Sequence, residues 1–63
     1  MSSKEDIAAV AKKYLTRSGY GDSKIVFVED KLYKWLVKAE NSSLKFQIEI
    51  TKSGDSVIKF EIS

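Results

Sequence analysis

The chain has 63 residues, which suits one small domain whose single hydrophobic core is close to the minimum for independent stability. Hydrophobic residues make up 43% and charged residues 32%, the proportions of a globular domain and not of a disordered segment. The chain has no Cys and no His, which excludes disulfides, the usual zinc ligands, and thiol or imidazole catalysis. The net charge is +2, so weak polyanion binding is permitted but not indicated.

Hydropathy indicates a protein outside the membrane. No apolar run approaches the roughly 20 residues needed to span a bilayer. The first six residues lack the charged and then apolar layout of a signal peptide. We therefore expect a cytoplasmic protein with no membrane contact, although the mature part of an exported protein would have the same features.

Residues 3–18 are predicted to form an amphipathic helix. Apolar side chains at helical spacing form one stripe, made of Ile7, Val10, Ala11, Tyr14 and Leu15. A capping box begins the helix at Ser2 or at Ser3, each with an acidic residue three positions later. Gly19 is expected to end the helix in the left-handed conformation, with Tyr20 folding back onto the last turn.

Four strands are predicted after the helix. Runs of apolar, β-branched and aromatic residues place them at 24–29, 32–40, 44–51 and 57–62, with turns at 30–31, 41–42 and 52–54. In the third run, Leu44, Phe46, Ile48 and Ile50 alternate strictly with polar residues. Because side chains alternate across a strand, the apolar four share one face.

The turn lengths and the apolar alternation agree on one topology. A two-residue turn at 41–42 places Val37 opposite Phe46, and a three-residue turn at 52–54 places Ile48 opposite Ile58 and Phe46 opposite Phe60. Both hairpins then bury the same face, which the helix stripe is free to cover. The sequence predicts a single α+β domain over residues 1–63. It consists of one N-terminal helix packed on a four-stranded antiparallel β-meander, an α-β-β-β-β two-layer sandwich.

The other face of the sheet is predicted to be open and charged. The register places Lys34 opposite Glu49 and Lys45 opposite Glu61, as expected for a solvated face with cross-strand ion pairs. A basic surface that contacts phosphates is the alternative. The aromatic residues of the second, third and fourth strands lie on the covered face, where they would offer no stacking platform for bases.

The first hairpin leaves apolar side chains on the open face with either turn length. A two-residue turn at 30–31 puts Ile25 and Phe27 beside Leu36, whereas a three-residue turn puts Val26 and Val28 there. A contiguous apolar patch marks an interface or a groove, and a cluster covered by lysine stems is an equally good interpretation. The candidate interface residues are Ile25, Phe27, Lys34, Leu36 and Lys38.

The sequence contains no recognisable catalytic arrangement. Without Cys and His, a nucleophile would have to be Ser, Thr or Lys activated by a carboxylate or by burial. The three glycines form no phosphate-binding motif, and a small two-layer domain leaves little room for a deep pocket. We therefore expect no enzyme activity, no cofactor or metal, and no small-molecule substrate.

Two stretches give the chain a resemblance to the small PepSY family. They are residues 6–11 (DIAAVA) in the helix and residues 46–50 (FQIEI) leading to Ser53-Gly54-Asp55. The family tends to place an Asp four residues before this glycine, where the present chain has Ile50. Family members are commonly exported or attached to proteases. The resemblance implies a non-catalytic, inhibitory or regulatory protein-binding module.

Two functions follow from these features. The first is a small protein-binding or regulatory module that takes a protein partner or a second copy at the open face or at a sheet edge. The alternative is a weak nucleic-acid-binding protein whose candidate contacts are Lys12, Lys13, Arg17, Lys45 and Lys59. An artificial or excised domain without a function of its own is a third interpretation.

Overall fold

The computed structural model describes residues 3–63. One helix, α1 (Lys4–Arg17), precedes β1 (Lys24–Asp30), β2 (Lys34–Glu40), β3 (Lys45–Thr51) and β4 (Val57–Ile62). The strands form one antiparallel sheet in the order β1-β2-β3-β4, and α1 packs on one of its faces. The predicted α+β fold, a helix on a four-stranded meander, is therefore confirmed.

Both ends of α1 are capped in the predicted way. The Ser3 hydroxyl accepts a hydrogen bond from the Asp6 backbone N–H, and the Asp6 carboxylate accepts one from the Ser3 backbone N–H, each at 3.3 Å. The alternative start, one residue earlier, lies outside the described residues. At the other end Gly19 has a φ of 93°, and the Tyr20 backbone N–H donates to the Leu15 carbonyl at 2.7 Å. This Schellman arrangement stops the helix and returns Tyr20 to the core.

The core lies between α1 and the inner face of β2 and β3. Its buried apolar side chains are Ile7, Ala11, Leu15, Trp35, Val37, Ala39, Phe46, Ile48 and Ile50. Full burial of a Val, Leu or Ile side chain contributes about 1.5–3 kcal/mol. The predicted helix stripe and the predicted inner face of β3 are both confirmed, with Val10 and Leu44 half-buried at the margin of the core.

The β2–β3 register differs from the prediction by two residues. Val37 lies opposite Ile48, not opposite Phe46. The cause is the side chain of Asn41, whose amide oxygen accepts hydrogen bonds from the backbone N–H groups of Ser43 and Leu44 at 2.8 and 2.7 Å. This Asx-type interaction moves the tip of the turn to residues 42–43. A shift of two residues leaves every side chain on its predicted face but changes its partner.

The β1–β2 hairpin follows neither of the two predicted alternatives along its whole length. Its tip lies at Leu32 and Tyr33, so β2 begins at Lys34, two residues later than predicted. Val28 lies opposite Val37, and a bulge then displaces Val26 so that Ile25 lies opposite Ala39. Because the bulge reverses the parity, Val28 and Ile25 both pack against the core.

The β3–β4 hairpin has the predicted left-handed Gly54, with a φ of 82°. Its loop is longer than predicted, because the Thr51 backbone N–H donates to the Ser56 carbonyl at 2.9 Å. Ile48 consequently lies opposite Phe60, and Ile58 is the extra residue of a bulge. The prediction that Ile58 faces the core is wrong: its side chain is 56% exposed, and Val57 packs against the core instead.

Candidate protein interface at the β4 edge

The helix does not cover the whole sheet. α1 lies over β1, β2 and β3, and among the described residues it reaches β4 through ring contacts and the start of the strand. The Tyr14 ring meets the Phe60 ring edge-on, with 5.1 Å between the centroids. Phe60 and Val57 remain half-buried, and Ile62 is 43% exposed. The β4 side of the molecule therefore presents apolar surface that this chain leaves partly uncovered.

An aromatic cluster fixes the position of Phe60. Its ring stacks on Phe46 with 5.9 Å between centroids, and Tyr20 lies 4.9 Å from Phe46 and 6.3 Å from Phe60. Aromatic pairs at these separations contribute about 0.5–1.5 kcal/mol each beyond the area that they bury. These ring contacts hold the inner side of β4 in place although the helix does not lie over it.

A groove of about 580 Å³ runs between α1 and the β3–β4 loop. Its walls combine apolar and charged side chains from the helix and the loop: Val10, Lys13, Tyr14, Arg17, Asp55 and Val57. Hydrogen bonds from the Ser53 and Thr51 hydroxyls lower the pKa of the Asp55 carboxyl. The groove continues the uncovered side of β4 through Val57 and Tyr14.

The outer edge of β4 offers backbone groups for pairing. Lys45 and Ser63 exchange two backbone hydrogen bonds, at 3.0 and 2.8 Å, so these two residues form a hydrogen-bonded pair. In an antiparallel ladder such pairs alternate with pairs whose N–H and C=O groups point away from each other. Glu61 and Lys59 therefore bond to β3, whereas Phe60 and Ile62 direct their N–H and C=O groups to the free edge.

The two edges of the sheet differ in their protection. β1 has a bulge at Val26 in its middle, and exposed charged residues occupy its end at Glu29 and Asp30. The β4 bulge lies at the beginning of the strand, which leaves residues 59–62 in regular pairing with β3. Bulges and charges discourage strand addition, and both edges carry them, but the charges at the end of β1 are both acidic whereas Lys59 and Glu61 of β4 have opposite signs. Of the two edges, β4 is the better template for an additional strand.

The open face carries four of the five candidate interface residues. The open face has Phe27 from β1 and three residues from β2, all exposed or half-buried: Lys34, Leu36 and Lys38. Ile25 packs against the core on the other face. Phe27 is 41% exposed, and the Lys38 ammonium lies 5.5 Å from its ring centroid. The Lys38 side chain thus covers part of the apolar patch formed by Phe27 and Leu36, which agrees with the interpretation of the sequence as a cluster covered by lysine side chains.

Ion pairs on the open face follow the shifted register. The Lys34 ammonium contacts the Glu49 carboxylate at 2.6 Å, as predicted, although Lys34 lies opposite Thr51. The hydrogen bond from Lys34 lowers the pKa of the Glu49 carboxyl. The predicted placement of Lys45 opposite Glu61 is wrong, because Glu61 lies opposite Gln47 and bonds to Lys59 at 3.0 Å, which raises the pKa of the Lys59 ammonium.

The five candidate polyanion contacts do not form one surface. Lys12 is half-buried, and its ammonium donates hydrogen bonds to the carbonyl oxygens of Gly21 and Ser23. Lys13 and Arg17 line the groove on the helix side, whereas Lys45 and Lys59 belong to the opposite, open face of the sheet. One polyanion could not contact the helix cations and the open-face lysines on a single surface. Nucleic-acid binding stays a prediction.

The tip of the β1–β2 hairpin was missed by sequence reasoning. Leu32 and Tyr33 fit the predicted strand pattern, but they are 78% and 84% exposed at the tip. Lys52 braces this hairpin: its ammonium bonds to the Asp30 carboxylate and the Lys31 carbonyl and lies 4.9 Å from the Trp35 ring centroid. The two apolar tip residues are a second exposed feature of the molecule, and no local sequence signal distinguishes them from strand residues.

Comparisons with known proteins leave the resemblance as a prediction. No protein-family model matches the chain, and neither a curated protein nor a solved structure matches it. Within residues 3–63 no helix is long and apolar enough to cross a membrane. The same residues contain no group of three or more acidic side chains placed to hold a metal ion.

Proposed function

We propose that this chain is a non-catalytic protein-binding module that pairs an extended segment of its partner with the free edge of β4. One observation carries the proposal. Phe60 and Ile62 direct backbone donors and acceptors outward beside an apolar inner face that α1 leaves partly uncovered. Strand addition obtains affinity from backbone hydrogen bonds and specificity from alternate side chains. β4 has both the outward backbone groups and the alternate side chains that strand addition uses.

The chemistry of β4 defines the segment that it would bind. On the helix side, alternate residues of the added strand would lie beside Phe60 and Ile62 and be apolar. On the open side, a residue opposite Lys59 would be acidic and one opposite Glu61 would be basic, since opposite charges across a ladder stabilise a pair. The partner segment is therefore a strand with alternating apolar and charged residues.

Selection from a random peptide display library tests the proposal. Extended peptides of this alternating type should bind the immobilised protein, and Ile62→Pro should abolish their binding because proline lacks the outward N–H. Ile62→Ala keeps the N–H and serves as the matched control, with the fold of each variant checked by circular dichroism. If the protein selects no peptide at a concentration at which it is monomeric, or if selected peptides bind Ile62→Pro as well as the wild type, strand addition at β4 is excluded.

A cytoplasmic location stays a prediction that fractionation of the source cells would test. The open-face patch around Phe27 and Leu36 is a separate surface, and lysine side chains cover part of it. A partner bound there would be unaffected by Ile62→Pro, so the same variant assigns binding to one surface or the other.

A further inference from the structure

We infer that β4 pairs with β4 of a second copy of this chain, giving a symmetric dimer with one continuous antiparallel sheet. This inference rests on the proposed function, since it requires strand addition at the same edge. A dimer formed in this way has a two-fold axis perpendicular to the sheet, and each copy contributes the same residues. The axis also places both copies of α1 on one side of the extended sheet.

Backbone geometry limits the registers that such a dimer can adopt. Phe60 and Ile62 direct their hydrogen-bonding groups to the edge, whereas Lys59 and Glu61 use theirs on β3. A residue whose backbone N–H and C=O groups point to the free edge must therefore lie opposite a residue of the same kind on the partner strand. Along the regular part of β4, residues 59–62, the two-fold axis can pass beside any of the four residues. An axis at Ile62 leaves Phe60 without a partner among the described residues, so the registers that use both outward residues have the axis at Lys59, Phe60 or Glu61.

Charge selects one of these three registers. With the axis at Phe60, Lys59 lies opposite the partner's Glu61, and the symmetric pair forms on the other side of the axis. An axis at Lys59 places Lys59 opposite itself, and an axis at Glu61 places Glu61 opposite itself. Like charges directly opposite each other in a ladder are destabilising, and unlike charges are stabilising. β4 is thus complementary to itself when centred on Phe60.

The apolar residues agree with the same register. Phe60 lies opposite the partner's Phe60, and Ile62 lies opposite the partner's Ile58. Ile58 and Ile62 are 56% and 43% exposed in the single chain, so both offer apolar surface at this edge. Pairing centred on Phe60 brings these two exposed aliphatic residues together at each end of the new ladder, where the bulge at Ile58 ends the regular pairing.

Pairing of β4 with β1 of another copy is the competing arrangement. Such a head-to-tail contact does not close and would produce a growing chain of molecules. The bulge at Val26 interrupts the outer ladder of β1, which disfavours this contact. A closed dimer and an open-ended assembly have different masses, so they can be told apart directly.

Sedimentation equilibrium from micromolar to submillimolar concentration tests the inference with two charge variants. Glu61→Lys places Lys59 opposite a lysine of the partner and should weaken the dimer at least about tenfold. Lys59→Glu should weaken it for the corresponding reason. An equimolar mixture of the two variants restores unlike charges at both positions, so it should form a heterodimer. Ile62→Pro should give a monomer without a change of charge.

The possible results separate this inference from the proposed function. A wild-type dimer that Glu61→Lys weakens and the mixture restores supports both. A wild-type monomer that still binds display peptides through the Ile62 N–H overturns the dimer and leaves strand addition standing. A monomer that binds no peptide overturns both. A dimer unaffected by Glu61→Lys and Ile62→Pro, or an assembly larger than a dimer, overturns the β4 pairing.

Discussion

Replacing Lys12 with Met should reduce the free energy of unfolding by about 2 kcal/mol, because Lys12 ties the middle of α1 to the loop before β1. Its ammonium donates to the Gly21 carbonyl at 2.8 Å and to the Ser23 carbonyl. Hydrogen bonds from a charged donor contribute roughly 1.5–3 kcal/mol each, and water replaces part of the more exposed bond in the variant. Met keeps most of the aliphatic part of the lysine side chain, so the loss of unfolding free energy measures the contribution of the ammonium group. For a domain of this size, 2 kcal/mol corresponds to a fall in Tm of about 8–16 °C.

Lys13→Met is the matched control for this experiment. Lys13 is the next residue of the same helix, is exposed, and carries the same charge near the same position of the helix dipole. Urea denaturation followed by the fluorescence of Trp35, the single tryptophan, measures both variants. Because the acceptors are carbonyls, the difference between the variants should persist at high salt. Equal stability of the two variants would refute the structural role of Lys12.

Three further changes have expected outcomes. Gly19→Ala should destabilise the protein by about 1 kcal/mol in a thermal melt, because Gly19 has a φ of 93°. An added Cβ meets nothing within 4 Å, so the loss of stability comes from backbone strain alone. Ser23→Ala should raise the stability by about 1 kcal/mol in urea, since the buried Ser23 hydroxyl has no hydrogen-bond partner among residues 3–63. Lys34→Met should change the pH dependence of stability. Lys34 lowers the pKa of Glu49 in the folded state. The ion pair therefore stabilises the protein fully at pH values above the ordinary glutamate pKa of about 4.3, and this stabilisation is lost as the pH falls through the lowered pKa of Glu49. Wild type and Lys34→Met should therefore differ in a urea titration at pH 7 and converge in acid, and a constant difference would contradict the assignment.

The faces of the central strands could be predicted from the sequence, whereas their partners could not. Alternation in β3 is strict, so Phe46, Ile48 and Ile50 had to share one face, and the structure buries all three. The partner of each residue depends on which residues form the tip of the turn. The amide oxygen of Asn41 decides this for β2–β3 by binding two backbone N–H groups, and several turn positions in the Asn-Ser-Ser segment allow such bonds.

The edge strands were harder to predict than the central ones for a physical reason. A central strand is constrained by ladders on both sides, whereas an edge strand has one ladder and tolerates an extra residue. Bulges at Val26 and Ile58 occur in β1 and β4, the two edges. In β1 the run Ile25-Val26-Phe27-Val28 has no polar alternation to set the parity. Each candidate interface includes residues of an edge strand, Phe27 of β1 in one and Phe60 and Ile62 of β4 in the other, which is why the sequence located them incompletely.

The uncovered side of β4 follows from the numbers of helices and strands. A helix with its side chains is about 10–12 Å across, and neighbouring strands lie about 4.8 Å apart. One helix can therefore cover two or three strands, and α1 lies over β1, β2 and β3. Ala11 in the middle of the buried stripe is fully buried, and its small side chain allows α1 to lie close to those strands. The inner side of β4 is shielded only in part, by the rings of Tyr14, Tyr20 and Phe46 around Phe60, and the proposed strand at the edge would add apolar side chains beside it.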